Sequence, residues 1–118
     1  MSTQELTVYE KPTCTKCREL NKLLTDRGID FDKVNYYVEP LTAAKIGELV
    51  RKMGIPARDL LRKSEAIYSE LGLAKADLPE AEIIKLMAKH PDLMQRPIVE
   101  RGQKAVLARP VENVEKIL

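Results

Sequence analysis

Aromatic residues are scarce in this chain. They make up 4% of its 118 residues, tryptophan is absent, and Phe31 is the single phenylalanine. A core must therefore be built from Leu, Ile, Val, Ala and Met, and an apolar content of 44% is enough for one. The length suits one domain, residues 1–118.

Long apolar runs and a strong charge of either sign are also lacking. No stretch approaches the roughly 18 consecutive apolar residues of a membrane span. The opening MSTQELTVYE lacks the basic and apolar regions of a signal peptide. A net charge of +2 does not call for a polyanionic partner. We therefore expect a cytoplasmic protein without a membrane partner and without direct nucleic-acid binding.

Cysteine and histidine are too few for an ordinary zinc site. The chain has two cysteines, Cys14 and Cys17, and one histidine, His90. Structural zinc needs four such ligands, so we expect no metal site. His90, in AKHPD, is expected at a helix end. Structural disulfides are rare in a reducing compartment, and TCTKCRE is too polar to favour two incidental core cysteines.

The hydrophobic patterns predict an α/β fold. LTVYE and IDFDKVNYY are typical of strands, and the leucines between them recur at helical spacing up to Gly28. Helical patterns follow, the first of them capped by Thr42. PIV and AVLA around Gly102 indicate a hairpin, and VENVEKIL a short amphipathic helix. This βαβ, helices, ββα order predicts a thioredoxin-like fold with a mixed sheet of about four strands and a helical insertion roughly over residues 41–91.

The position of the cysteines favours a reactive pair. Cys14 lies where the first strand turns into a helix, so unpaired N–H groups and the helix dipole would stabilise its thiolate. A C-x-x-C next to a βαβ pattern is typical of redox motifs. We therefore expect Cys14 to be the nucleophile and Cys17, one turn further, to be the resolving thiol. Pro12 is expected to stiffen the approach to this loop. Three basic neighbours are expected to add positive potential: Lys11, Lys16 and Arg18.

Four stretches, in this order along the chain, are similar to those of a known protein family and together extend over nearly its whole length. They are TVYEKPTCTKCRE, GIPARDLLRKSEAIYSELGLA, LMAKHPDLMQRPIV and AVLARPVENV. With them the chain resembles the family of glutaredoxin-type arsenate reductases (ArsC) and Spx proteins. The resemblance implies a thioredoxin-like fold, with Cys14 as the nucleophile. It further implies that Arg62, Arg96 and Arg109 bind the oxyanion and that the Arg96–Pro97 peptide is cis beside the cysteine loop.

This chain also departs from the arsenate reductases around Cys14. Those enzymes often carry His in place of Glu10, Asn in place of Lys11, and Gly-Thr-Ser in place of Thr15, Lys16 and Cys17. The C-x-x-C instead resembles Spx, a redox-sensing regulator that binds the C-terminal domain of the RNA polymerase α-subunit. The stretch that contains Arg62 is closer to the reductases.

The resulting functional prediction is a thiol-dependent arsenate reductase. Cys14 would attack arsenate, and glutathione with glutaredoxin, or Cys17 followed by glutaredoxin or thioredoxin, would supply the reductant. No tightly bound cofactor is implied. Two alternatives are an Spx-like transcription regulator that binds the RNA polymerase α-subunit and a general disulfide reductase that ignores arsenate.

Overall fold

A computed structural model describes residues 6–11 and 13–118. Pro12, and with it the predicted stiffening of the cysteine loop, lies outside the described residues. The chain divides into two compact units. The sheet unit comprises Met1–Glu39 and Arg96–Leu118, and the helical unit comprises Pro40–Gln95. The assignment of residues 1–118 to a single domain stays a prediction.

The sheet unit contains a mixed sheet of four strands with the spatial order β2-β1-β3-β4. β1 pairs in parallel with β2 and antiparallel with β3, which pairs antiparallel with β4. Because a parallel pair needs a crossover, a helix connects β1 to β2. The predicted mixed sheet is confirmed. Its elements are β1 (Leu6–Glu10), α1 (Thr15–Asp26), β2 (Asp32–Asn35), β3 (Ile98–Arg101), β4 (Lys104–Leu107) and a closing 3₁₀ helix (Val111–Ile117).

Although Tyr9 and Tyr36 are also buried in the sheet unit, the buried members of one core cluster are all aliphatic. Inward residues of β1 and α1 meet β3 and the closing 3₁₀ helix there. Its buried members are Leu6, Val8, Leu20, Leu24, Val99, Ala108, Val114 and Ile117. This packing fixes the start of α1 at the end of β1, where both cysteines lie.

Two turns of the sheet unit form at glycines, as the sequence predicts. Gly28 ends the α1 region with a φ of +66°, and Gly102 turns the β3–β4 hairpin with a φ of +60°. Both angles lie in the left-handed region that glycine adopts without strain. The predicted closing helix is confirmed as a helix, but it is of the 3₁₀ type, with Val114 and Ile117 buried three residues apart.

The helical unit contains three α-helices within the described part of the chain. They are α2 (Ala43–Met53), α3 (Ala66–Glu70) and α4 (Glu80–Lys89). The Thr42 hydroxyl caps α2 by accepting from the Lys45 N–H at 3.1 Å. The segment after α2 forms a 3₁₀ turn (Ala57–Leu60) and α3. His90 is the C-cap of α4, as expected.

An isolated bridge in the helical unit holds Arg62 in place. Leu61 pairs with Met94, and the Arg62 N–H donates to the Leu93 carbonyl at 2.7 Å. The segment around Arg62 is therefore tied to the end of the same unit. Over residues 6–11 and 13–118, no helix has the length and apolarity that crossing a membrane requires.

Candidate active site

Cys14 lies at the N-cap of α1, with extended backbone angles of φ −78° and ψ 128°. Its N–H donates to the Lys11 carbonyl at 2.9 Å, and its own carbonyl accepts from the Arg18 N–H at 3.1 Å. The second bond begins the helix and the first closes the turn from β1. Cys14 is thereby held at the positive end of the α1 dipole.

The surroundings of Cys14 favour its thiolate. Burial of the sulfur raises the pKa, but several groups outweigh it and lower the pKa of Cys14 below its ordinary value. They are the Cys17 N–H and thiol, the Lys16 N–H and the Arg96 guanidinium. All of them present hydrogen to the sulfur, and donors of this kind stabilise the charged form.

The Cys14 sulfur has a cation beside it that is not one of its three basic sequence neighbours, whose added positive potential stays a prediction. Arg96 acts on the sulfur, although it lies far along the chain. The Lys11 ammonium lies 4.9 Å from the centre of the Tyr37 ring, and Lys16 pairs with Glu19 at 3.5 Å. Arg18 is exposed. Lys11 and Lys16 thus have partners of their own, and the guanidinium beside the sulfur comes from the segment before β3.

The surroundings of Cys17, unlike those of Cys14, favour the neutral thiol. Its exposed fraction is 0%, and burial, as the largest cause, raises its pKa to about 12. The negative charges of Cys14 and Glu10 act in the same direction, while the Lys11 N–H opposes them. Cys17 is therefore a thiol at neutral pH, which suits a residue that reacts second.

Arg96 is a buried arginine with an unfilled donor. Its exposed fraction is 6%, and its Nη1 donates to the Tyr37 hydroxyl at 3.5 Å. Among the described residues its Nε finds no hydrogen-bond partner. A buried unpaired N–H is costly and would pair strongly with an anion's oxygen. The Arg96–Pro97 peptide is cis, the isomer that the resemblance implies.

Arg109 is brought to Arg96, whereas Arg62 belongs to the other unit. The Arg109 Nη1 donates to the Arg96 carbonyl at 3.2 Å. Arg62 lies in the helical unit, and its Nε pairs with Glu65 at 3.1 Å. The roles of all three arginines in binding an oxyanion stay predictions.

Three residues of this region were not expected from the sequence. Glu10 is 5% exposed and accepts from the Asn21 Nδ2 at 2.7 Å. Tyr37 lies between Lys11 and Arg96. The signals in the sequence were weak: Glu10 stands where arsenate reductases often carry His, and Asn21 is a polar residue four positions after Cys17 on the buried face of α1.

Metal chemistry finds no support in the residues that the structure describes. Within them, no three His, Cys, Asp or Glu side chains are grouped so that they could hold an ion. Cys14 and Cys17 are both free thiols. The site is thus a thiol pair with a buried guanidinium beside it.

Comparison with known proteins gives matches along almost the whole chain. The model of the ArsC family matches residues 9–117. The uncharacterized protein YfgD of Escherichia coli is 38% identical over 117 residues, covering 98% of each chain. An arsenate reductase of Neisseria meningitidis serogroup A is 35% identical, covering 97% of this chain and 98% of its own. The solved arsenate reductase of Vibrio cholerae is 31% identical with a TM-score of 0.93, covering 99% of this chain and 100% of its own.

Proposed function

This chain belongs to the ArsC family, and from that membership we infer that it is a thiol-dependent oxidoreductase that reduces arsenate to arsenite. The observation that carries this proposal is the Cys14 sulfur, whose pKa is lowered at the start of α1 beside the buried Arg96. A thiolate with an unfilled guanidinium donor beside it suits attack on a tetrahedral oxyanion.

The anion would be held by arginine and by the start of α1. The Nε of Arg96 would donate to one oxygen, and Arg109 is close enough to the Arg96 backbone to add a second guanidinium. N–H groups of the first turn of α1 supply further donors. Arg62 is proposed as the third arginine on the strength of the family resemblance alone.

The first step forms a bond from sulfur to arsenic. The Cys14 thiolate attacks arsenic(V) in H₂AsO₄⁻, a sulfur–arsenic bond forms, and hydroxide leaves and is protonated by solvent to water. Arginine charge lowers the repulsion between an anionic nucleophile and an anionic substrate. The adduct on Cys14 is then a thioester of arsenate that carries one negative charge.

The second step is the reduction. The sulfur of Cys17 attacks the sulfur of Cys14, the sulfur–arsenic bond breaks, and its electron pair stays on arsenic, which leaves as arsenic(III). The Cys17 proton passes to the departing arsenite, giving H₂AsO₃⁻. Two thiols have supplied two electrons, so the proposed cycle needs no tightly bound cofactor. Glutaredoxin or thioredoxin would reopen the Cys14–Cys17 disulfide in the cytoplasm.

The direct test is arsenate-dependent oxidation of NADPH in a coupled assay. It is run once with glutathione, glutaredoxin and glutathione reductase, and once with thioredoxin and thioredoxin reductase. We expect turnover in at least one system, and none with the Cys14→Ser variant. Absence of turnover with both donors contradicts the proposal.

A general disulfide reductase is the second candidate, favoured by the contact between the Cys14 and Cys17 thiols. It predicts activity on a mixed disulfide that arsenate does not stimulate. The alternative of an Spx-like regulator is supported by the C-x-x-C motif alone. Binding to the RNA polymerase α-subunit without arsenate turnover would favour this alternative.

A further inference from the structure

Glu10 is a buried carboxylate for which the proposed cycle has no use. It is the last residue of β1 and its exposed fraction is 5%. Charged side chains are rarely buried to this degree unless a partner compensates them. Its Oε1 accepts from the Asn21 Nδ2 at 2.7 Å. A carboxylate has a second oxygen, so this bond does not exhaust its capacity as an acceptor.

Asn21 links this carboxylate to the turn that carries Cys17. Cys17 and Asn21 are four residues apart and therefore share one face of α1. The same Nδ2 donates to the Cys17 carbonyl at 2.6 Å. The Asn21 Oδ1 is buried, and no partner for it lies among the described residues. Turning the amide over would place that oxygen against a carboxylate and a carbonyl, so Glu10 and Cys17 fix its orientation.

The turn of α1 that the Asn21 amide binds also carries the sulfur of Cys17. This sulfur is fully buried, and the N–H of Lys11, the residue directly after Glu10, faces it. The titratable groups that act on it are Cys14 from its own turn and Glu10 from β1. Attack on Cys14 requires the Cys17 proton to leave, and a sulfur with no exposed surface has no bulk water to take it.

We propose that Glu10 is the proton acceptor for Cys17 in the resolving step and that Asn21 is the positioning residue that holds the Glu10 carboxylate. The inference rests on the proposed function, since it assumes that Cys17 resolves a bond formed on Cys14. The Cys17 S–H bond breaks and its proton moves to Glu10, while the sulfur's electron pair forms the disulfide with Cys14. The bond between Cys14 and its adduct breaks towards the leaving group, which then receives the proton from Glu10.

The test uses the full-length protein and a probe that does not involve arsenate. The reduced protein is mixed with dithiobis(nitrobenzoate), an aromatic disulfide that releases coloured thionitrobenzoate. Cys14 takes up one half and releases the first equivalent. Cys17 then displaces the second equivalent as it forms the disulfide. The two phases therefore report the nucleophilic and the resolving step separately.

The decisive variant is Glu10→Gln, which keeps an oxygen for the Asn21 amide and removes the carboxylate. We expect the first phase to be unchanged and the second to slow about 100-fold at neutral pH, in the range of a lost general base. The second phase of the variant is also expected to rise about tenfold per pH unit, because only the fraction of Cys17 that has already lost its proton then reacts, whereas the wild-type rate rises less steeply. A purely structural role would not steepen the pH profile.

Two control variants are measured beside Glu10→Gln. Cys17→Ser should release a single equivalent. Glu100→Gln removes another buried carboxylate of the sheet unit, one that accepts from the Tyr9 hydroxyl at 2.7 Å, and should leave both phases unchanged. If Glu10→Gln fails to fold, Glu10→Asp replaces it, and that variant should keep the shallow pH profile of the wild type because it keeps a carboxylate.

Four results overturn the inference: an unchanged or faster second phase in Glu10→Gln, an equal slowing in Glu100→Gln, an unchanged pH profile in Glu10→Gln, or a steep profile in Glu10→Asp. The proposed function fails separately, through absent arsenate turnover, because this assay contains no arsenate.

Discussion

The surroundings of two cysteines three positions apart shift their pKa values in opposite directions in this protein. Cys14 is partly exposed at the N-cap of α1, where N–H groups and Arg96 face its sulfur. Cys17 is fully buried one turn later, and burial raises its pKa to about 12. These shifts suit the predicted order of reaction, in which Cys14 attacks first and Cys17 reacts second.

The first residue-level prediction concerns the pH dependence of Cys14. Its pKa is lowered, so in a Cys17→Ser background its alkylation by iodoacetamide should reach half its maximal rate below about pH 8.5, the ordinary range of a cysteine. Adding Arg96→Gln should move that midpoint upward, because one of the groups that lower the pKa is lost. A midpoint at or above about 8.5 would contradict the assignment of Cys14 as the thiolate.

The second residue-level prediction concerns the three arginines proposed to bind arsenate. Replacing Arg96 by alanine would empty a buried site, so lysine is the better test, since it keeps the charge and loses the planar pair of donors. We expect Arg96→Lys, Arg109→Lys and Arg62→Lys each to raise the KM for arsenate about tenfold or more. The matched control is Arg18→Lys, an exposed arginine of α1. Unchanged kinetics in the three variants, or an equal loss in the control, argues against an arginine site.

At the scale of the element, the start of α1 turns its backbone N–H groups towards the Cys14 sulfur. Its first turn contains no acidic residue, and its N-cap residue offers a sulfur instead of the usual side-chain oxygen. By contrast, α4 begins with Glu80 and Glu82, and the Thr42 hydroxyl caps α2. Acidic side chains and caps normally stabilise a helix start. In α1 the free N–H groups and the dipole act on the Cys14 sulfur instead.

The prediction at this scale concerns how much the Thr42 cap of α2 contributes to the stability of the protein. Thr42→Ala removes the acceptor for the Lys45 N–H, and we expect it to lower the free energy of unfolding by about 1 kcal/mol. Thr42→Ser keeps the hydroxyl and should lose much less. Urea denaturation of both variants measures the difference. Equal stability of Thr42→Ala and the wild type would mean that the cap contributes little.

At the scale of the whole molecule, the prediction is a closed dithiol cycle within one chain. After a single turnover with arsenate and no external thiol, the wild-type mass should fall by about 2 Da as two thiols become a disulfide. Cys17→Ser should instead retain an adduct on Cys14 or depend on added glutathione, and Cys14→Ser should do neither. Mass spectrometry of the intact protein distinguishes these products. A fully reduced wild type, with Cys17→Ser equal to it for every donor, would leave Cys17 without a role.

Much of the fold was determined by local sequence. LTVYE formed β1, Thr42 and Gly54 bounded α2, and Gly102 turned the hairpin. Caps, turns and apolar periodicity act over a few residues, so they can be read directly from the chain. The order of these elements also predicted the mixed sheet. The position of Cys14 at the start of α1 followed in the same way, and with it the direction of its pKa shift.

What only the tertiary structure decided depends on contacts between distant segments. β3 pairs with β1, and the segment before β3 brings the Arg96 guanidinium to Cys14, a role for which the sequence suggested its nearest basic neighbours instead. The end of β1 meets the buried face of α1, which turns Glu10 and Asn21 into a buried pair beside Cys17. Burial and desolvation are properties of the packed chain. No local pattern encodes them, and they set both the high pKa of Cys17 and the surroundings of its sulfur.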